Sequence, residues 1–410
     1  MKHCDTWGWT PPGDMNSTPE ADWLNLLIGL LQGAQLQLLR VLDALGLVQQ
    51  AHGQPAWPWA RKLSGENLLI DLGQARRLGL TLVVITAALV VFVVALLWRR
   101  RRTWRIWGIA LATLLVVLAP WPEANVVLVP AYPTSFQQRP VGFTADAIAQ
   151  GRALYATHCL ACHGTDGRGQ GPLAATQPVW PPNLSGPLLW RRADGDLLWH
   201  VMNGTRDRHG AATMPGFGKL LSDDDAWALI DFMKAQGAGE SLRAAGLWAQ
   251  PIGPPDIAVR CEGRPVRMLS SWRGQRVRIV AEGAAADTAP PLEDPRLVTV
   301  LLRPSPTATA TSAPTSANCV ADSPNAWAAF SLVAATTQLA GTQFLVDRNG
   351  WLRARGEPGK DAWNDDDLLC RTDQPPRSVQ QPLPQQDGLG ALIARMDAEP
   401  VRFVKGGFVH

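Results

Sequence analysis

The sequence is poor in charge, in tyrosine and in histidine. Charged residues make up 18% of its 410 positions, with two tyrosines and seven histidines. The formal net charge of +3 is mild, and much of the basic excess sits in one short cluster, Arg99 to Arg102 with Arg105. That excludes the extended basic footprint of a nucleic-acid binder. Lys2 to Asp22 has no basic segment leading into an apolar core, so an ordinary signal peptide is not expected there. Cysteine is sparse, at six, and Cys4, Cys261, Cys319 and Cys370 lack the spacing of a metal site. No histidine lies between His209 and His410, which leaves the C-terminal half without imidazole ligands before its last residue. The length allows two or three domains.

Long charge-free stretches are present. Gly79 to Trp98 holds 20 residues without a charge. At about 1.5 Å per residue it spans a hydrocarbon core, and it has no polar face to turn to water. Ile106 to Pro122 is a second apolar stretch, flanked by Trp104, Trp107 and Trp121 in the manner of an interfacial belt. The arginine cluster lies between the two. The positive-inside rule places that loop in the cytoplasm and everything after Pro122 on the outer side of the membrane. Residues 78–122 are thus expected to be a pair of transmembrane helices. In the N-terminal region, 1–77, Leu24 to Val48 reads as a Leu-rich helix that also carries Gln32, Gln35, Gln37, Arg40 and Asp43. It suits an interfacial amphipathic helix, or a third membrane helix with its polar face on a partner. The weight falls on the interfacial helix.

Cys159-Leu160-Ala161-Cys162-His163 places two thiols at i and i+3 with a histidine directly after. The thiols suit thioether bonds to porphyrin vinyl groups, and His163 suits an axial iron ligand. A chance Cys-x-x-Cys for zinc or thiol chemistry is the competing reading, and the surrounding sequence disfavours it. Ala147 to Tyr155 reads as a helix ahead of the motif. Ser222 to Met233 reads as a final helix, with Ser222 as N-cap, Asp225 at the third position of a capping box, and Trp227, Ile230 and Met233 as its apolar stripe. Met214-Pro215-Gly216-Phe217 lies on a loop just before it. Met202, inside a helical stretch, competes with Met214, and His200 and His209 are replacement candidates. Four glycines, Gly164, Gly167, Gly169 and Gly171, follow the motif and suit a pliant loop.

From about 143 to 236 these features resemble a class I c-type cytochrome, an all-α domain. The resemblance implies one covalent haem c on Cys159 and Cys162, with His163 as proximal and Met214 as distal iron ligand. It also implies that Pro182, in Trp180-Pro181-Pro182-Asn183-Leu184, offers its carbonyl to the other nitrogen of His163 and tunes it. With both axial positions filled, the implied chemistry is single-electron transfer. Haem c is attached on the outer side of the bacterial inner membrane, which agrees with the arginine loop. The haem and C-terminal domains are therefore expected in the periplasm.

After a Gly/Ala/Pro-rich link, Ser271 to Val280 looks like the entry strand of a thioredoxin-like α/β domain. Gly341 to Arg355 looks like the late hairpin of redoxin and SCO-type proteins, with Asn349-Gly350 as its turn. The region 255–373 departs from that pattern where the chemistry would sit. Ala281 to Asp287 holds no cysteine, Gly341 replaces the cis-proline, and no copper-site histidine is available. A docking or structural role is expected for it. Pro304 to Asn318 is low in complexity. One pair among Cys261, Cys319 and Cys370 is expected to be a disulfide in an oxidising compartment. Residues 374–410 read as a Pro/Gln linker and tail with a short helix near Leu389 to Met396. Expected partners are redox proteins of the membrane or periplasm and membrane lipid, with no nucleic acid. An electron carrier leads. A subunit of a larger oxidoreductase or terminal oxidase is the alternative, since no flavin, quinone or copper-A motif is present. A looser likeness to chains related to the CopD copper-resistance proteins raises copper handling as a third reading, without a Met/His-rich cluster to carry it.

Overall fold

The computed structural model describes residues 20–64, 72–97, 102–186, 189–190, 192–283, 294–305, 319–358, 363–370, 388–401, 404–405 and 408–409. The chain divides into two compact units, one of 14–136 with 404–410, the other of 1–13 with 137–403. Arg99 to Arg101, most of the arginine loop, and 306–318, most of the low-complexity stretch, lie outside the described residues.

In the first unit, α1 (Glu20–Ala44) precedes three short strands, β1 (Gln50–Ala51), β2 (Gln54–Pro55) and β3 (Arg61–Leu63). Then come α2 (Leu72–Leu97) and α3 (Arg102–Leu118), packed side by side, with Gly108 of α3 so close to α2 that an added Cβ would lie 2.6 Å from Ala95 Cβ. Both helices turn Val, Leu and Ile outward, among them Val83, Leu89, Val90 and Leu97 of α2 and Leu111, Leu114 and Val117 of α3. An apolar exterior is the arrangement of helices solvated by lipid. Leu26–Ala44 and Gly73–Leu97 are long and apolar enough to cross a membrane. The second expected span is shifted rather than shortened: α3 also has 17 residues but runs from Arg102 to Leu118, four residues earlier than Ile106 to Pro122. After α4 (Ala124–Val127), β4 (Leu128–Pro130) pairs antiparallel with β3.

The second unit fuses a helical part with a sheet. The helical part holds α5 (Ala145–His158), α6 (Leu160–His163), α7 (Asp194–Asn203), the small hairpin β5 (Thr205–Arg206) and β6 (Ala212–Met214), and α8 (Asp223–Ala245). Ser222 caps α8 in a full capping box with Asp225, as the sequence implied. Such a cap contributes about 1 kcal/mol. The sheet runs in the order β13-β12-β9-β10-β11-β7-β8, built from β7 (Ala258–Cys261), β8 (Arg267–Met268), β9 (Val277–Ala281), β10 (Val298–Arg303), β11 (Cys319–Asp322), β12 (Gln343–Val346) and β13 (Leu352–Gly356). β10 is parallel to both β9 and β11, and the other neighbours are antiparallel. α9 (Pro324–Val333) starts at a Ser323 cap with Pro324 in its first turn. In the β12–β13 hairpin only Gly350 takes positive φ, so Asn349-Gly350 does not form a two-residue mirror-image turn. Asp347 Oδ1 instead accepts the backbone N–H groups of Asn349 and Trp351.

Three expectations need correction. The link after 236 is not a linker. α8 continues to Ala245, and Trp248 and Ile252 beyond it are fully buried. The apolar stripe on α8 is not one-sided, because α8 is buried from Ala226 to Gly239, with α5 and the sheet domain's α9 both packed on it. The C-terminal helix is not part of a loose tail. It spans Gly388–Ala398 (α10), and Leu392, Ile393 and Met396 pack on Leu345, Ala354 and Leu368. Buried Arg353 ties it down by donating to the Met396 and Cys370 carbonyls and to Asp347.

The disulfide joins Cys261 to Cys319, which face each other across β7 and β11, and Cys370 is disulfide-bonded as well. Closing a loop of 58 residues restricts the unfolded chain by about 4 kcal/mol on the chain-entropy account. At Gly239 an added Cβ would lie 2.1 Å from the Leu332 carbonyl oxygen of α9. Trp248 Nε1 donates to Val333 O at 3.0 Å, and Asn325 Nδ2 donates to Asp146 at 2.7 Å. Gly239→Val should therefore separate α8 from α9 and cost about 3 kcal/mol or more. In denaturant unfolding, tryptophan fluorescence should move to a lower midpoint. An unchanged midpoint would show that the two parts are not braced through this helix.

Candidate functional site

The site starts from how α5 meets α8. Gly151 sits where an added Cβ would lie 2.0 Å from the Ala228 carbonyl oxygen and 2.8 Å from Phe232 Cβ, so only glycine lets the helices cross this closely. Tyr155, one turn on, stacks on Phe232 with ring centroids 5.2 Å apart. Its buried hydroxyl donates to the Gly164 carbonyl at 2.7 Å, and burial pushes its pKa upward.

Tyr155 thereby fixes the chain directly after the Cys-x-x-Cys-His run. That run occupies the end of α5 and the single turn of α6. Cys159 and Cys162 are half-buried free thiols, the two free cysteines among the described residues. Burial, and then the neighbouring Cys162, push the Cys159 thiol up to about 11. His163 is buried. Burial lowers its pKa, and the Pro182 backbone, whose only polar group is its carbonyl, works in the opposite direction. Nδ1 of His163 is buried without a hydrogen bond of full geometry. The donor set fits a covalent porphyrin: two unpaired thiols one turn apart, and a buried imidazole beside them.

The glycine loop is pinned rather than pliant, which corrects the sequence expectation. Gly164, Gly167 and Gly169 have positive φ. A Cβ on Gly169 would lie 2.1 Å from Pro181 O, and one on Gly171 would lie 2.4 Å from Ala161 O. Gly169 N donates to His163 O, Gly171 N to Cys162 O and Leu173 N to Ala161 O, at 2.8–3.1 Å. From α8, Gln236 Nε2 donates to Thr165 O, and Ser185 Oγ donates to Asp166 O. Sequence reasoning passed over Tyr155 and Gln236 as holders of this loop.

Met214 lies at the end of β6 and is half-buried, where a loop was expected. The Pro215–Gly218 chain leaves it and folds against the end of α7. Phe217 N donates to Val201 O and Gly218 N to Met202 O, both at 2.9 Å. Phe217 then meets the ring of His158, next to Cys159, with centroids 5.8 Å apart. Met202 is half-buried on α7 and packs against the main core. His200 Nε2 pairs with Arg192 at 3.1 Å, and His209 Nε2 accepts from Arg208.

A buried ionic group, which the sequence reading missed, locks α7 to α8. Arg139 bonds Asp194 and Asp231, and Lys234 bonds Asp194. The available signal was Asp231 and Lys234 at i and i+3 in the otherwise apolar stretch Ala226 to Ala235 of α8. Burial pushes Asp231 up to about 6, with Arg139 and Lys234 opposing it. Burial likewise drives Lys234 downward.

Residues 146–233 match the family described as cytochrome c oxidase, cbb3-type, subunit III. The cbb3-type cytochrome c oxidase subunit FixP of Rhizobium meliloti (strain 1021) is 30% identical over 110 residues, which cover 27% of this chain. The match spans about a third (34%) of that relative's length. Among solved structures, a chain of the reducing HAO-like protein complex of Kuenenia stuttgartiensis is 26% identical, over 30% of this chain and 59% of that one. Its TM-score of 0.21 carries no argument.

Asp231 gives a pH prediction. A carboxyl raised from 3.8 to about 6 in the folded state keeps a proton that the unfolded chain has already released. Its contribution to stability is full below about pH 4 and is lost as the pH rises through 6. Between pH 4 and 7, wild type should therefore lose of order 2 kcal/mol relative to Asp231→Asn in urea unfolding. A difference independent of pH would refute the buried titration.

Proposed function

We propose that this chain, whose residues 146–233 form a c-type cytochrome domain, is a membrane-anchored electron-transfer protein carrying one haem c. The observation that carries the reading is the free pair Cys159 and Cys162 with buried His163, held by Tyr155, Gln236 and the pinned glycine loop. The single Cys-x-x-Cys-His in the sequence supports one haem. When bound, the haem supplies one-electron chemistry.

In this reading Cys159 and Cys162 hold the group through thioethers, and His163 is its proximal ligand. The Pro182 carbonyl orients the His163 ring, in line with the counteracting effect of Pro182 on that ring. Met214 is the distal ligand. The Phe217–His158 contact supports it, because it draws the Met-Pro loop toward the motif, whereas Met202 is committed to its helix and the core. The protein anchors itself by α2, with apolar α3 packed beside it, and the arginines between them favour a cytoplasmic loop with the second unit in the periplasm.

The likeness to a cbb3-type oxidase subunit favours work inside a larger membrane oxidoreductase, with redox proteins as partners. Copper handling has no observation in its favour and is not carried forward. The sheet domain reads as a thioredoxin-like scaffold. Its strand order, with β9 between parallel β10 and the antiparallel β12–β13 hairpin, supports that, and its sequence brings no cysteine to the end of β9. Its role is to brace α5 and α8 through α9.

Two measurements test the proposal. A pyridine haemochrome assay and the intact mass of the purified full chain should give one covalent haem. Two haems, or haem extracted by acid acetone, would overturn it. Met214→Ala should abolish the weak far-red sulfur-to-iron band, lower the potential and admit carbon monoxide, while Met202→Ala should leave all three unchanged. The reverse pattern would move the ligand to Met202, and no change in either would call for a nitrogen ligand.

A further inference from the structure

α1 is apolar on both sides: Ile28 and Leu39 are buried against its own unit, and a second set of apolar residues faces outward. Its exposed side carries Leu26, Leu30, Leu38 and Val41, continued by Leu45 in the turn just past its end, each 44–66% exposed. At 100° per residue these fall within about 120° of arc, an apolar stripe interrupted only by exposed Gln37. Arg40 lies beside it. The covered side carries Gln32 and Gln35, which are buried. Gln35 donates to the Leu31 and Leu63 carbonyls, and its own carbonyl accepts from Leu63 N at 2.8 Å. A soluble surface helix keeps its apolar residues inside and its amides outside.

What covers the inner side tells at which depth α1 sits. Ile28 joins Ala75 and Leu78, near the first turns of α2, and Val127, just beyond α3. Leu39 packs on Trp57 and Phe136. Gln35 bonds the backbone of strand β3, and α1 also lies against β2 and the short strand Phe408–Val409. Phe136 belongs to the chain after α3, which turns at Pro120 and Trp121, where Thr81 of α2 donates to Pro120 O at 2.8 Å. Irregular backbone and two-residue strands cannot lie exposed in hydrocarbon. A helix seated on them therefore stands at the boundary where α2 begins and α3 ends. Its stripe is too apolar for water, and it is continuous through Ile28 with the packing of α2.

We propose that α1 lies in the plane of the membrane interface at that boundary, with the Leu26–Leu45 stripe in lipid acyl chains and Arg40 reaching the head groups. Its length and mean hydropathy also suit a span, and its packing partners decide against one. The proposal rests on the membrane reading of α2 and α3 and is independent of the haem.

The test uses the full, haem-loaded chain in phosphatidylcholine–phosphatidylglycerol nanodiscs. Leu30→Cys, Leu38→Cys and Val41→Cys are nitroxide-labelled one at a time, with Val90→Cys on the exposed side of α2 as the reference. Oxygen and nickel-chelate relaxation give each label's depth. The expected result is one shallow depth for positions 30, 38 and 41, about 5–10 Å into the head-group boundary, and a much deeper Val90. A depth that changes by about 1.5 Å per residue from 30 to 41 would make α1 a span and overturn the proposal. So would water exposure at all three positions with Val90 deep. Water exposure at Val90 itself would remove the membrane reading, and the proposal with it.

Discussion

Backbone meeting backbone at Gly151 is the contact on which the second unit depends. With α5 and α8 that close, Tyr155 reaches Phe232, and its hydroxyl can hold the Gly164 carbonyl. The Cys-x-x-Cys-His turn is the direct continuation of α5, so its place against α8 is set by this crossing. Gln236, two turns along α8, closes the same loop from the other side. A methyl group at 151 would displace both ends of this frame at once.

The frame does not stand alone. Three turns farther along the same side of α8, Gly239 meets α9 of the sheet domain, which packs on α5 as well, again at a distance only glycine allows. One helix thus serves two cores. The chain between them is woven in: Thr144 bridges to Asp256, Asp256 N donates to Phe143 O at 2.7 Å, and Leu352 N donates to Ile252 O at 2.9 Å. The result is a helical part and a sheet that share apolar interior from Ile148 to Leu352.

The sequence made legible what local chemistry dictates. The thiol spacing, the capping box at Ser222, the helix around Gly151 and the charge-free stretch of α2 depend on residues a few positions apart. The sheet's entry strand and late hairpin were legible for the same reason. What it hid was long-range. Glycines 164–171 read as pliant, because nothing local tells that Pro181 and Ala161 press on them. The Gly/Ala/Pro composition after 236 reads as a linker, whereas small residues there serve close packing against α9. The pairing of Cys261 with Cys319 depends on β7 and β11 becoming neighbours across 58 residues. The polar residues of α1 were ambiguous because their partner, Leu63, lies 28 residues away.

The double burial of α8 also orders events in time. A growing chain can dock α8 on α5 as soon as residue 245 is free, but the face around Gly239 stays bare until Pro324–Val333 has been made, some 80 residues later. At about 5–20 residues per second that interval lasts seconds, long compared with helix formation. Throughout it, the nascent protein exposes an apolar strip ending in Trp248, so the helical part is made early and becomes watertight late.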